Sequence, residues 1–125
     1  MKRLKAAFEY QDRRGVLTEI ARSTRWKQIN FMSLKKGFTR GGHYHKKTRE
    51  LFFIVEGRCA VKVVNAKNGR AKRLTAKEKD IFVVEPYEIH YVKALKNAKM
   101  ITLLSIPHNQ VHPDIHKASD LGIKR

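Results

Sequence analysis

Residues 37–57 read GFTRGGHYHKKTRELFFIVEG, from Gly37 to Gly57. In an extended strand, side chains two apart share a face. His43 and His45 therefore stand side by side, with Tyr44 turned the other way. Glu50 lies an odd number of residues beyond His45, so one straight strand cannot bring it to that face. The hydrophilic Lys46-Lys47-Thr48-Arg49 marks a turn, after which Glu50 opens the next strand. Two imidazoles and a carboxylate on adjacent strands form a donor set for a divalent transition metal. Zn, Fe, Mn and Ni all suit these donors, and donor type alone does not choose among them.

Outward from this stretch, strand signals dominate. Val16–Ile20 follows the turn signal Asp12-Arg13-Arg14-Gly15, and Gln28–Leu34 alternates loosely. Leu51–Val55 is continuously apolar, as in a strand covered on both faces. Cys59–Val64 alternates, and Asn65–Gly69 ends in Asn-Gly, a hairpin signal that makes Arg70–Thr75 the return strand. Ile81–Val84, Tyr91–Leu95 and Met100–Ile106 complete the set. Many short strands with Gly, Asn and Pro between them predict an all-β sandwich or barrel. The expected organisation is one domain over 1–125, with a core at about 12–106 and a polar tail at 107–125, irregular or helical. Pro113 would be the first residue of a short terminal helix, Asp114–Leu121.

Composition narrows the classes. The chain has 125 residues, enough for one core without staples. Cys59 is the only cysteine, so no internal disulfide is possible, and its place on an apolar strand face makes it a packing residue. MKRLKAAFEY has a basic start but no apolar stretch of a signal peptide, and no apolar run is long enough to span a bilayer. The expectation is a soluble cytoplasmic protein without membrane contact. The net charge of +17 is spread from Lys2 to Arg125. Without an aromatic RNA-binding motif or a helix-turn-helix pattern, it reads as a solvated surface that attracts small anions, not as specific nucleic-acid recognition. His108, His112 and His116 recur every four residues, but Pro113 interrupts any helix, so they read as solvent-exposed tail residues. Trp26 reads as core or interface.

The register of the glycines adds a resemblance. Gly37, His43, His45, Glu50 and Gly57 reproduce G-x5-H-x-H-x4-E-x6-G, the first motif of the cupin superfamily, at every fixed position. The resemblance implies a small antiparallel jelly-roll β-barrel with a metal in one mouth. The second cupin motif, G-x5-P-x-G-x2-H-x3-N, fits only at His90, which the resemblance makes a fourth ligand. Lys79, Glu85, Tyr87 and Ala94 stand at its other positions. Tyr87 replaces a glycine free to take positive φ, which leaves the turn geometry open.

Two further stretches resemble sugar-nucleotide cupins, namely the dTDP-4-dehydrorhamnose 3,5-epimerases and the dTDP-sugar 3,4-ketoisomerases. They are Asp12-Arg13-Arg14-Gly15-Val16-Leu17-Thr18-Glu19 and Arg40-Gly41-Gly42-His43-Tyr44-His45-Lys46. In the ketoisomerases the two histidines move protons without metal, and the position of Glu50 is commonly glutamine. Glutamate here is closer to the zinc-containing cupin domain of capsular-sugar epimerase–reductases. The resemblance implies a metal-dependent epimerase or isomerase of a sugar or sugar nucleotide. In it Arg14 and Arg40 would pair with a diphosphate. Tyr91 or another barrel-lining group would carry the proton. The alternatives are a non-catalytic metallocupin holding a small anionic ligand and a metal-dependent dioxygenase. Small cupins commonly dimerise through edge strands, so a homodimer is expected.

Overall fold

The structure is a computed structural model, described over residues 1–121. Its strands are β1 (Lys2–Leu4), β2 (Phe8–Asp12), β3 (Gly15–Glu19), β4 (Gln28–Leu34), β5 (Thr39–Tyr44), β6 (Glu50–Glu56), β7 (Arg58–Asn65), β8 (Ala71–Lys77), β9 (Ile81–Val84), β10 (Glu88–Ala94), β11 (Ala98–Leu104) and β12 (His116–Lys117). A single 3-10 turn, Ala118–Leu121, follows among the described residues. One five-stranded sheet runs β1-β9-β6-β11-β4 and the other β12-β5-β10-β7-β8, with β2-β3 a separate hairpin. Every pairing is antiparallel. This is the all-β jelly roll expected, but as two facing sheets not joined into a closed barrel.

The apolar run at Leu51 shows why the sheets face each other. Phe52 and Ile54 point inward and join Val61, Val63, Phe82, Val84, Val92 and Met100 in the main core. The rings of Phe52 and Phe82 stack at 4.8 Å. Leu51 and Phe53 point outward under Ile20, Ala21 and Trp26. The strand is thus covered on both faces, and each buried large side chain contributes about 1.5–3 kcal/mol. Cys59 is wholly buried in the main core, a packing residue.

Two regions depart from the sequence reading. β1 pairs with β9, so the sheet begins ahead of the expected core start near residue 12. The expected helix from Asp114 does not form. Instead β12 adds to the edge of β5 and a 3-10 turn follows, because the free edge of β5 offers hydrogen bonds to an extended segment. Residues 122–125 of the expected tail lie outside the described residues.

The second-motif turns are informative. Among the described residues, the non-glycine residues with positive φ are Lys79 (71°) and Tyr87 (64°), the two positions where the motif has glycine. The turn geometry that Tyr87 left open is therefore that of a glycine, adopted by a tyrosine. Tyr87 is held there by stacking on Tyr44 at 5.9 Å, by Lys67 over its ring at 4.4 Å, and by its N–H donating to the His45 carbonyl at 2.7 Å. Lys79 is held through its N–H, which donates to Ile54 at 2.7 Å. Among the glycines, Gly41 is the tightest. Its φ is +113°, and a Cβ there would stand 2.1 Å from the His90 carbonyl oxygen.

Two stability changes follow from this geometry. Lys79→Gly should stabilise the fold by up to about 1 kcal/mol, by relieving a left-handed backbone that L side chains disfavour. Gly41→Ala should destabilise it by about 3 kcal/mol or more, since both the φ and the β10 backbone oppose a methyl group. Urea denaturation midpoints of the two variants against the parent chain check both.

Candidate metal centre

β5 and β10 are neighbours in one sheet, and His43 and His90 are paired residues across them. His45 lies just past the end of β5, and Glu50 is the first residue of β6 in the facing sheet. The four side chains converge at one end of the space between the sheets. The ligating atoms of His43, His45 and His90 all lie within 4.8 Å of one another. Glu50 Oε1 is 3.4 Å from His45 Nε2 and 3.6 Å from His90 Nε2. These separations are long for hydrogen bonds. They match the roughly 3.4 Å edge of a tetrahedron of ligands held about 2.1 Å from a shared ion.

The outer nitrogens of two rings are already committed. His45 Nδ1–H donates to the Asp114 carbonyl at 2.6 Å, and His90 Nδ1–H to the Glu88 carbonyl at 3.2 Å. A carbonyl only accepts, so each Nδ1 carries a proton and each Nε2 faces the cluster; the neutral His90 ring presents a lone pair there, and His45 does so when its Nε2 is deprotonated. Metal-binding histidines are oriented in this way. On donor chemistry and ring orientation, His43, His45, His90 and Glu50 fit a divalent transition metal.

Electrostatics separate the rings. Burial, reinforced by the facing His45, pushes His43 down to about 4. Burial, with His43 alongside, pushes His90 down to about 3. For His45 burial also acts downward, but the Glu50 carboxylate and the Asp114 carbonyl outweigh it and raise the ring above its ordinary value. Neutral imidazoles are the form that binds metal.

A cleft of about 370 Å³ opens onto the cluster, lined by His43, Glu50 and His90 with Met32, Arg40 and Phe52 among its walls. Arg40 thus stands at the site. Arg14 does not line this cleft. It occupies the β2–β3 turn, where its guanidinium grips Asp12 at 2.6 Å. Tyr91 is also directed elsewhere, because alternation along β10 turns it to the face opposite His90. There it packs with Tyr44, Ile89 and Val64, with Lys62 Nζ 5.9 Å from its ring. It shares with His43 the wall of a second cavity, beneath Ile115 and Lys117. Of the tail histidines, His108 and His112 are exposed as expected. His116 is half-buried against Tyr44 at 5.4 Å.

Asp114 is the residue at the site that the sequence reading missed. Its carboxylate accepts from the N–H groups of Lys46, Lys47 and Thr48 and from the Thr48 hydroxyl, each at 2.9 Å. Burial would raise its pKa, but those donors hold it well below the usual carboxylate range. Its partners at the site lie 66 to 69 residues earlier, and its one local partner is His116, with Nε2 3.1 Å from Oδ1. A second bridge joins the same loop to the second motif. Arg49 pairs with Glu85 in bidentate fashion at 2.9 and 3.0 Å, Glu85 standing where that motif has proline.

Comparison with known proteins places the fold. Residues 10–116 match the family described as the polysaccharide biosynthesis C-terminal domain. A UDP-2-acetamido-2,6-beta-L-arabino-hexul-4-ose reductase of Pseudomonas aeruginosa is 27% identical over 97 residues, covering 76% of this chain. The chain spans about a quarter of that relative's length, 26%. A sugar 3,4-ketoisomerase from Thermoanaerobacterium thermosaccharolyticum, QdtA, solved with TDP, superposes with a TM-score of 0.80 at 17% identity, covering 95% of this chain and 88% of that one. The capsular polysaccharide assembling protein CapF from Staphylococcus aureus superposes with a TM-score of 0.69 at 18% identity, covering 88% of this chain and 33% of that one. At such identities the two structures show the shared fold.

The buried rings give the metal-free protein a pH dependence of definite sign. His43 and His90 stay neutral in the folded chain down to about 4 and 3, but protonate near 6.5 once unfolded. The unfolded state binds more protons in that window, so stability falls as pH drops below 6.5. His45 acts in the opposite sense: its contribution is present below 6.5 and is lost as pH rises through its folded value. Below 6.5 His45 is protonated in both states and adds no slope, so stability in a chelator should decline from pH 6.5 to 4.5, His43 and His90 each contributing at most about 1.4 kcal/mol per pH unit. Urea titrations across this range should show His90→Gln with a shallower decline than the parent chain.

Proposed function

Because the chain belongs to the polysaccharide biosynthesis C-terminal domain family, we propose that it is a metal-binding cupin domain that epimerises or isomerises a sugar or sugar nucleotide. The observation that carries this reading is the pair of Nε2 atoms on His45 and His90. They are aimed at Glu50 by backbone carbonyls that hold the opposite nitrogens. His43, His45, Glu50 and His90 would hold a divalent ion, which would supply a Lewis acid beside a substrate carbonyl and so favour loss of a proton from the adjacent carbon. Met32 and Phe52 would wall a sugar off from water, while Arg40 at the cleft would hold a diphosphate. The net charge of +17 favours capture of such anions. A cytoplasmic setting goes with a substrate of this kind; no helix of the described residues is long and apolar enough to cross a membrane.

A second reading is a metallocupin that holds a small anionic ligand without converting it. It is favoured by the placement of Tyr91, the expected proton carrier, on the opposite face of β10. Incubation with a panel of 4-keto UDP- and dTDP-sugars in deuterated water separates the two. The enzymatic reading expects deuterium at the carbon next to the carbonyl, lost in His43→Ala together with the metal found by elemental analysis. Stoichiometric ligand binding without deuterium uptake would favour the second reading.

We also propose that the domain is a homodimer. Edge strand β4 exposes Ile29 and Phe31, at 69% and 66%. The β2–β3 hairpin exposes Phe8, Tyr10 and Leu17, and a lone two-stranded hairpin is marginal in water. A second copy would cover both apolar surfaces. Light scattering after gel filtration should give twice the monomer mass for the parent chain and the monomer mass for Phe31→Asp.

A further inference from the structure

We infer that Asp114 is a positioning residue for the metal centre, so that docking of the C-terminal segment and metal binding reinforce each other. This rests on the metal reading above. The loop 46–49 must carry the chain from β5 in one sheet to β6 in the other. In doing so it turns three successive amides, those of Lys46, Lys47 and Thr48, toward one point. Such a nest of N–H groups calls for an anion. The carboxylate of Asp114 fills it, with the Thr48 hydroxyl as a further donor. Charge-assisted bonds of this kind are roughly twice as strong as neutral ones.

The same residue reaches the cluster through its backbone. The Asp114 carbonyl accepts His45 Nδ1–H at 2.6 Å, which fixes the tautomer and the direction of Nε2. Two residues on, β12 pairs His116 with Tyr44 and Lys117 with His43. One short segment therefore holds the ring of His45, the backbone beside His43, and the loop that delivers Glu50. Side-chain placements of this kind decide how much of the ligand set is preformed. The coupling is reciprocal: whatever docking adds to metal affinity, metal binding returns to docking.

The test measures Zn(II) affinity by competition with a chromophoric chelator, alongside the Co(II) absorption spectrum. The chains compared are the parent, Asp114→Asn, and Leu74→Ala, a truncation on β8 of a partly buried side chain packed against the main core. Asp114→Asn should bind Zn(II) about 10- to 100-fold more weakly, with an altered Co(II) spectrum. Leu74→Ala should lose stability without losing affinity. In the parent chain, Zn(II) should slow hydrogen exchange of the amides of residues 46–48 and 115–118 by at least about tenfold. That measurement needs no variant and decides the matter should Asp114→Asn fail to fold. A folded Asp114→Asn with Zn(II) affinity within about threefold of the parent, or exchange in the parent unchanged by bound Zn(II), would overturn the coupling alone. A parent chain that takes up neither ion would overturn the metal reading, and the coupling with it.

Discussion

Three imidazoles and one carboxylate sit at the end of a core that is otherwise apolar, and the structure around them is arranged to make that burial tolerable. A polar group taken out of water costs free energy unless it finds a partner. Two of the rings find backbone carbonyls on their outer side, at Glu88 and Asp114. Their inner nitrogens are left facing Glu50 at distances too long for good hydrogen bonds. The donor atoms of all four side chains are thus concentrated at one point between the sheets, where an ion would satisfy them. Each supporting carbonyl belongs to a different part of the chain, so the site requires both sheets and the C-terminal segment at once.

The two histidine strands are brought into register by backbone geometry more than by side-chain contacts. Gly41 lets β5 approach the His90 carbonyl more closely than a Cβ would allow. The turns at Lys79 and Tyr87 hold left-handed conformations without glycine. Such positions cost about 1–2 kcal/mol each for L residues. Tyr87 offsets this through its stacking on Tyr44 and its hydrogen bond to the His45 carbonyl. His45 is consequently gripped twice, by its backbone from the second-motif turn and by its ring from the C-terminal segment. Glu85, at the proline position, replaces a stiff ring with an ion pair to Arg49 that ties the two motifs together.

Most of the fold was legible in the sequence because the strands have periods that show. Gln28–Leu34 and Ile81–Val84 are strands with the bounds read from them, and the uninterrupted run at Leu51 did mean burial on both faces. The short N-terminal strand was not legible. Lys2–Leu4 is fully exposed in its burial pattern and belongs to the sheet only through its pairing with β9. The same holds for β12, two polar residues whose extended form is dictated by the edge of β5. His116 lies half-buried for that reason, although its neighbours in sequence are exposed.

By itself the sequence determined the all-β fold, the family, and the spacing that puts His43, His45 and Glu50 near one another. A period of two and a turn are local properties, and local properties are written in consecutive residues. Which side each remaining candidate faces was a tertiary matter. Alternation along β10 directs His90 inward and Tyr91 outward, and the register of β10 against β5 sets His90 opposite His43. Arg40 reaches the cleft while Arg14 closes on Asp12 at a hairpin tip. The place of Asp114 at the site could be found only in the folded chain, because the amides and the ring it holds there are contributed by a segment some seventy residues away and no pattern along the chain spans that distance.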